Sequence, residues 1–286
     1  MKDKANKGYW QRLAKIYAPL MESDKKFYNA ICGYIRDYLK SDMNVLELAC
    51  GTGQLSFPLS DCTNSWTATD FSENMIKQAK RRGTTEKLSF CVADATALSY
   101  ENENFDCVVI SNALHIMPEP EKAMQEIRRV LKKDGILYAP TFLWAEKKSS
   151  GLRKRLMSIT GFKAYKEWNK ENFCEFITDY GFTVVKVNLV DGGLAPVGVL
   201  IAKKQKYLFV GLVCVREEYQ GQGYMRKALE LAFAEGNRLG LPVVLDTDAK
   251  LKSDKYRHLG MELAGVRTCK NGSKLYELIK YPDSTV

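Results

Sequence analysis

The chain has 286 residues, 45% hydrophobic and 27% charged, which is typical of a globular protein with one large or two unequal domains. No run approaches the roughly 18 apolar residues of a membrane span, and the sequence begins without the apolar core of a secretory signal. The eight cysteines form no C-x-x-C pair, so the sequence predicts a reduced, cytoplasmic protein without a metal site.

The formal net charge is +9, and basic residues are concentrated in one segment. Two interpretations stay open: a solvated lysine-rich surface, or a surface that attracts an anionic substrate, lipid headgroup or nucleic acid. Nucleic acid is the less favoured partner, because no zinc-ligand spacing or nucleic-acid module accompanies the charge. The segment contains Lys147, Lys148, Arg153, Lys154, Arg155, Lys163, Lys166 and Lys170.

Apolar residues recur at helical spacing over residues 9–20 and 27–38, which predicts two amino-terminal helices. Strands and helices then alternate, and this pattern predicts a doubly wound parallel α/β sheet whose ligand lies at the carboxyl ends of the strands. The predicted strands are Met43–Leu48, Trp66–Thr69, Leu88–Val92, Phe105–Ile110 and Gly135–Phe142, with a closing hairpin of Thr183–Val190 and Val197–Ala202. The predicted helices between them are Gln54–Leu59, Ser72–Arg81 and Glu121–Leu131.

Acidic residues accompany three successive strands, beside a glycine turn. The residues concerned are Glu47, Gly51 and Gly53 in VLELACGTG, Asp70 in TATDFSENM and Asp94 in CVADA. A dinucleotide site is one alternative, but the third glycine of its G-x-G-x-x-G pattern would fall at Ser56. Each aspartate could also cap a helix. The set as a whole favours a ligand with a cationic amino group near Glu47 and a ribose at Asp70.

Together with FDCVVISNALHIM and RRVLKKDGILYAPTF, these segments resemble the class I S-adenosylmethionine-dependent methyltransferases over residues 1–204, nearest the ubiquinone-biosynthesis-type branch that acts on small molecules. The resemblance implies a Rossmann-like sheet and S-adenosylmethionine as cofactor. The implied cofactor-binding residues are Tyr17, Glu47, Gly51, Gly53, Asp70, Met75, Asp94, Ala95 and Ser111. Glu47 and the glycines would line the methionine end, and Asp70 would hold the ribose. Met75, Asp94 and Ala95 would contact adenine.

Three further residues of this part concern the reacting centre. By the resemblance, Ser111 would face the sulfonium and Tyr17 would close over the cofactor, although Ala18 stands where the family usually has Asp. His115 is the one histidine near the expected site, either as a general base or as a packed, substrate-facing residue. We expect a small-molecule acceptor, held by the amino-terminal helices and by the aromatic, basic stretch Trp144–Trp168.

The remaining residues, 205–286, follow the charged linker Lys203–Lys206 and open with a predicted strand at Tyr207–Val215. They resemble the second half of the GNAT N-acetyltransferases, which implies a smaller α/β half-domain. Three roles stay open for it: an accessory remnant, a module that binds coenzyme A, or a working acetyltransferase. Half of such a sheet has an exposed edge, so we expect it to dock or to form a homo-oligomer.

The resemblance assigns individual residues in this half-domain. Gln220, Gly221 and Gly223 match the loop that presents N–H groups to the pyrophosphate of acetyl-coenzyme A. Met225 stands where that loop ends in Gly or Ala. Tyr256 matches the general-acid tyrosine and would be catalytic only in an acetyltransferase.

Overall fold

The computed structural model describes residues 8–15, 17, 25–147, 158, 161–211, 215–269 and 271–283. The chain divides into two compact units, Met1–Lys204 and Gln205–Val286. The described helices of the first unit are α1 (residues 8–15), α2 (Lys25–Arg36), α3 (Ser56–Leu59), α4 (Glu73–Arg82), α5 (Pro120–Val130) and α6 (Lys170–Asp179). Its strands are β1 (Asn44–Leu48), β2 (Ser65–Asp70), β3 (Leu88–Val92), β4 (Phe105–Ile110), β5 (Leu131–Phe142), β6 (Phe182–Asp191) and β7 (Pro196–Lys204).

The seven strands of the first unit form one sheet in the order β3-β2-β1-β4-β5-β7-β6. Strands β1 to β5 are parallel, so their carboxyl ends lie along one edge. Strand β7 runs antiparallel between β5 and β6. The predicted Rossmann-like sheet and its closing hairpin are therefore confirmed, and the hairpin makes the sheet mixed rather than wholly parallel.

Helices cover both faces of this sheet, and this coverage explains why the sequence of the central strand β1 is almost wholly apolar. Leu46 and Leu48 pack in a cluster with α5 and α6, whereas Val45 packs in a second cluster with α2, α3 and α4. A central strand covered on both sides needs apolar residues at consecutive positions. Glu47, which alternation places on the face of Val45, is the polar exception, and it is 1% exposed.

The boundary between α5 and β5 differs from the predicted one. We expected the helix to reach Leu131 and the strand to begin at Gly135. Instead the helix ends at Val130, and Leu131 is extended, with ψ of 134°. Leu131 pairs with Phe105 at the start of β4. Pairing with the neighbouring strand therefore outweighs the local helix signal.

The second unit contains helices α7 (Tyr224–Leu239) and α8 (Lys250–His258) and strands β8 (Leu208–Phe209), β9 (Val243–Thr247), β10 (Glu262–Thr268) and β11 (Lys274–Lys280). The strand order is β10-β11-β9-β8, with β8 and β9 parallel and the other pairs antiparallel. Its core includes Leu229 and Phe233 of α7, Leu245 of β9 and Tyr256 of α8.

The strand after the linker and the absence of a membrane span were also predicted from the sequence. The strand predicted at Tyr207–Val215 is described only as the short β8, and residues 212–214 lie outside the described residues. Leu208 and Phe209 pair with Val243 and Val244 of β9, and the Val210 N–H also donates to the Val244 carbonyl (2.8 Å). Within the described part of the chain, no helix is long and apolar enough to cross a membrane.

Candidate functional site

A cavity of about 540 Å³ lies at the carboxyl edge of the parallel strands in the first unit. Residues that directly follow β1, β2, β3 and β4 line it, and its volume is typical of small-molecule sites. Most of the predicted site residues meet here. Those that line the cavity are Tyr17, Gly51, Asp70, Met75, Asp94, Ala95, Ser111 and His115.

The turn after β1 forms the floor between two strand ends. Ala49 and Gly51 have left-handed backbone geometry, with φ of 53° and 58°. The Cys50 N–H donates to the Thr69 carbonyl (2.8 Å), and the Gly51 N–H donates to Asp70 Oδ2 (2.9 Å). Left-handed geometry is uncommon outside glycine and clusters at functional sites. The turn is therefore held in a specific shape against the end of β2.

Asp70, the last residue of β2, has both carboxylate oxygens engaged by the backbone. Oδ2 accepts from the Gly51 N–H, and Oδ1 accepts from the Ser72 N–H (2.8 Å). Burial raises the pKa of Asp70 to about 6, although these two bonds lower it again in part. A carboxylate has about four acceptor positions, so this one is fixed in place and can still accept from a ligand.

The neighbouring wall of the cavity is built from the start of α4 and the end of β3. Ser72 caps α4, its Oγ accepting from the Met75 N–H (3.3 Å), and Met75 is 2% exposed. After β3, Asp94 Oδ1 accepts from the N–H (3.0 Å) and the hydroxyl (2.7 Å) of Thr96. That turn fixes Asp94 and Ala95 at the rim of the strand.

Glu47 does not line the cavity, so its contact with the methionine end of a cofactor stays a prediction that the cavity lining does not support. Its Oε2 accepts from the Ser56 hydroxyl (2.5 Å) and from Trp66 Nε1–H (2.8 Å). Burial raises the pKa of Glu47 to about 7, while these two bonds lower it in part. The alternation of β1 places its side chain on the α2–α4 face of the sheet, so the carboxyl group supports the turn from beneath.

Gly53 is also absent from the cavity wall, although a glycine is required there. Its φ is 86°, and an added Cβ would lie 2.7 Å from the ring of Phe57 and 3.2 Å from that of Phe90. The second glycine of the motif therefore permits the turn and its close packing, and it makes no contact with the cavity.

His115 follows β4 and is 1% exposed. Its Nδ1 lies 3.1 Å from the Thr141 hydroxyl of β5. Burial lowers the pKa of His115 to about 3, so the imidazole is neutral at physiological pH. A group with so low a pKa is a weak general base.

Four rings lie together on one side of the cavity, and we call His115, Phe142, Trp144 and Phe162 the aromatic cluster. The ring centres are 5.7 Å apart for His115–Phe142, 5.5 Å for Phe142–Trp144 and 5.9 Å for Trp144–Phe162. The ring centre of Tyr9 in α1 lies 6.2 Å from that of Phe162. The amino-terminal helix thus takes part in the cavity, as expected for an acceptor site.

Asn112 lines the cavity and was not identified from the sequence. Its φ is 50°, and its N–H donates to the Pro140 carbonyl (2.7 Å). An asparagine two residues after a predicted strand is a signal for left-handed backbone geometry, so its position could have been inferred.

The predicted basic surface is only partly described. Arg153, Lys154 and Arg155 lie outside the described residues. Lys166 pairs with Glu121 (2.6 Å), and Lys163 Nζ lies 4.2 Å from the ring centre of Tyr165. In the part of the chain that the structure describes, no Lys or Arg lines the cavity.

In the second unit, the loop before α7 contains the predicted glycines. Gly221 and Gly223 have φ of 77° and 82°, with open space around each. The Gln220 side chain donates to the Val215 carbonyl (3.4 Å). Tyr256 is 7% exposed in the core, and burial raises its pKa.

Comparison with known proteins agrees with this geometry. Residues 46–139 match a family model described as a methyltransferase domain. A demethylmenaquinone methyltransferase from Paenarthrobacter aurescens is 30% identical over 178 residues, which are 56% of this chain and 70% of that protein. One from Renibacterium salmoninarum is 32% identical over 171 residues, which are 52% of this chain and 70% of that protein.

The fold is also similar to a solved methyltransferase. The crystal structure of magnesium protoporphyrin IX methyltransferase from Synechocystis PCC 6803 with bound SAH has a TM-score of 0.53 and 15% identity, covering 64% of this chain and 84% of that one. Sheet order, family model and relatives agree: the chain belongs to the class I S-adenosylmethionine-dependent methyltransferases.

Proposed function

We propose that the end of the cavity beside Asp70 binds S-adenosylmethionine through the ribose. The observation that carries this proposal is the Asp70 carboxylate, anchored by the N–H groups of Gly51 and Ser72 and lining the cavity. A carboxylate fixed in this way can accept hydrogen bonds from both ribose hydroxyls. The cofactor is cationic at its sulfonium and amino group, and the acidic lining without a described Lys or Arg suits that charge.

The other contacts follow the same arrangement. Asp94 and the Ala95 amide would hydrogen-bond the adenine edge, and Met75 would pack on its ring. Ser111 would face the sulfonium, and Tyr17, which follows α1 in the chain, would cover the cofactor. The ring of Tyr17 lies so close to the turn that a Cβ on Gly51 would be 3.2 Å from it, which supports this covering position.

The cofactor, when bound, supplies a methyl group that its sulfonium already activates. The protein then has to align the acceptor with that methyl group and to exclude water. The buried aromatic cluster is suited to both tasks. We assign His115 an orienting contact with the acceptor rather than the role of general base, because its pKa of about 3 makes it a weak proton acceptor.

We propose further that the acceptor is a small aromatic molecule of the quinol type. Two relatives are named demethylmenaquinone methyltransferases, and flat rings line the cavity beyond the proposed cofactor end. Aromatic side chains favour stacked or edge-on contact with such a ring. The basic segment, for which a solvated surface and a surface attracting an anionic substrate both stayed open, supplies no lining Lys or Arg among the described residues.

The test is methyl transfer from methyl-labelled S-adenosylmethionine to a reduced 2-prenyl-1,4-naphthoquinone under anaerobic conditions. We expect one labelled methyl group per product molecule. Failure of calorimetry to detect cofactor binding would refute the proposal as a whole. Cofactor binding together with transfer only to a different class of compound would refute the acceptor assignment alone.

For the second unit we propose an accessory role, with coenzyme A as its candidate ligand. Gly221 and Gly223, both left-handed, directly precede the 16-residue helix α7. A loop of this kind can present N–H groups to a pyrophosphate. The burial of Tyr256 favours binding over acetyl transfer. Coenzyme A should raise the melting temperature, and the absence of any shift at millimolar concentration would refute the proposal.

A further inference from the structure

The aromatic cluster contains a polar group that the protein itself leaves unsatisfied. Trp144 is 2% exposed and lines the cavity, and its buried Nε1–H has no hydrogen-bond partner in the described part of the protein. An unpaired buried donor is rare in native proteins, and it destabilises the folded protein because the lost hydrogen bond to water is not replaced. A ligand that accepts from Nε1–H would remove this cost.

A second unsatisfied atom lines the same cavity. Asn112 Oδ1 is buried and has no partner among the described residues. The backbone of Asn112 is fixed in left-handed geometry by its hydrogen bond to Pro140. Trp144 Nε1–H can only donate and Asn112 Oδ1 can only accept. A hydroxyl group, which accepts and donates, can satisfy either atom.

The charge of the surroundings restricts the ligand further. No Lys or Arg of the described chain lines the cavity, and His115 is neutral because burial lowers its pKa. The lining carboxyl groups include Asp70 and Asp94, together with Glu119, which pairs with Lys122. Among the residues that the structure describes, an anionic ligand placed between these rings would meet no compensating cation, and burying an unpaired charge is costly.

We propose that the aromatic cluster is the acceptor subsite, and that Trp144 and Asn112 select an uncharged flat ring carrying a hydroxyl group. This inference rests on the proposed methyltransferase function and names the two side chains that would recognise the hydroxyl groups of its quinol-type acceptor. The rings stack against the acceptor, Trp144 Nε1–H donates to a hydroxyl oxygen of the acceptor, and Asn112 Oδ1 accepts a hydroxyl proton from it. Trp144 and Asn112 are specificity-determining residues that set the orientation of the ring.

The experiment is calorimetry on the full chain with three naphthalene probes, in the presence and absence of SAH. The probes are 1-naphthol, 1-methoxynaphthalene, which lacks the hydroxyl proton, and the anion 1-naphthoate. The variant Trp144→Phe keeps a ring and loses the N–H. The matched control is Trp168→Phe, since Trp168 is also buried, at 7% exposure, and does not line the cavity.

We expect 1-naphthol to bind the wild type roughly 5- to 20-fold more tightly than 1-methoxynaphthalene, and 1-naphthoate to bind more weakly than either. Trp144→Phe should weaken 1-naphthol by a similar factor, while Trp168→Phe should not. SAH affinity should stay within about twofold in both variants, which reports an intact cofactor end.

Three results would overturn the proposal: preferred binding of 1-naphthoate, equal binding of 1-naphthol by wild type and Trp144→Phe, or no binding of any probe. Failure of SAH to bind is a separate outcome, which refutes the cofactor assignment. The affinities measured without SAH then still decide the hydroxyl preference of the subsite.

Discussion

Replacing Asp70 with Ala separates the structural role of this carboxylate from its proposed role in binding. In the ligand-free protein the change removes the hydrogen bonds from the N–H groups of Gly51 and Ser72, each worth about 1 kcal/mol. It also removes a carboxyl group whose burial raises its pKa to about 6. That unfavourable burial partly offsets the lost bonds. We expect the free energy of unfolding at pH 7 to fall by about 2 kcal/mol or less.

The loss of cofactor affinity should be larger. Two charge-assisted hydrogen bonds from the ribose would disappear, which corresponds to about 1.5–3 kcal/mol and to a dissociation constant roughly 10- to 150-fold higher. The assay is isothermal titration calorimetry with S-adenosylmethionine, combined with thermal unfolding of the ligand-free protein.

The matched control is Asp106→Ala. Asp106 lies near the start of β4, accepts from the Asn44 N–H (2.9 Å) and pairs with Lys132 (2.8 Å), and it does not line the cavity. This variant should lose stability and keep the affinity of the wild type. An unchanged dissociation constant in Asp70→Ala, or an equal loss of affinity in both variants, would show that Asp70 is not a cofactor ligand.

Three further predictions concern pH, the glycine turn and the second unit. Because the pKa of Asp70 is raised from its ordinary value near 4 to about 6, the folded protein holds a proton between pH 4 and pH 6 that the unfolded chain has lost. Thermal melts of the ligand-free protein should therefore show that this group lowers stability as pH rises from 4 to 6. Cofactor affinity should fall below about pH 6, because the accepting carboxylate becomes protonated. Gly53→Ala should destabilise the protein by about 1–3 kcal/mol, because of the left-handed φ of Gly53 and the contact of an added Cβ with Phe57. The control Gly33→Ala, in α2 with nothing within 4 Å, should stabilise the protein by about 0.5–1 kcal/mol. Equal denaturation midpoints for the two variants would contradict this prediction. Ending the chain at Lys204 should preserve cofactor affinity. If the second unit self-associates through the exposed edge strand β10, the sedimentation coefficient should fall by more than the loss of residues 205–286 from a single chain explains. A decrease that this loss of mass explains in full would exclude self-association.

The sequence was most informative about residues at strand ends. Asp70 and Asp94 both line the cavity because the carboxyl ends of parallel strands meet at one edge, whatever their separation in the chain. Glu47 does not line it, although its strand was predicted correctly. A motif suggests that a carboxylate is near the ligand, but the alternation of the strand decides which face it occupies, and for Glu47 that is the face of Trp66.

Other features depended on contacts between distant segments. The early end of α5 follows from pairing of Leu131 with Phe105, which a local helix pattern does not contain. The sequence likewise cannot predict that Trp144 Nε1–H lacks a hydrogen-bond partner, because this depends on which groups tertiary packing places near it. Local patterns therefore predicted the elements and the glycine turn, and tertiary packing determined their ends and the acceptor side of the cavity.

The position of β7 has a consequence for synthesis on the ribosome. This strand is the last of the first unit, yet it lies between β5 and β6, and it is buried from Pro196 to Ala202. Strand β6 has no other partner in the sheet, so a nascent chain that ends before residue 196 presents β6 unpaired and β5 with an open edge. The parallel half can assemble earlier, but the seven-stranded sheet is complete only after Lys204 has emerged. During that interval the nascent chain is most exposed to misassociation, and chaperone binding would protect it.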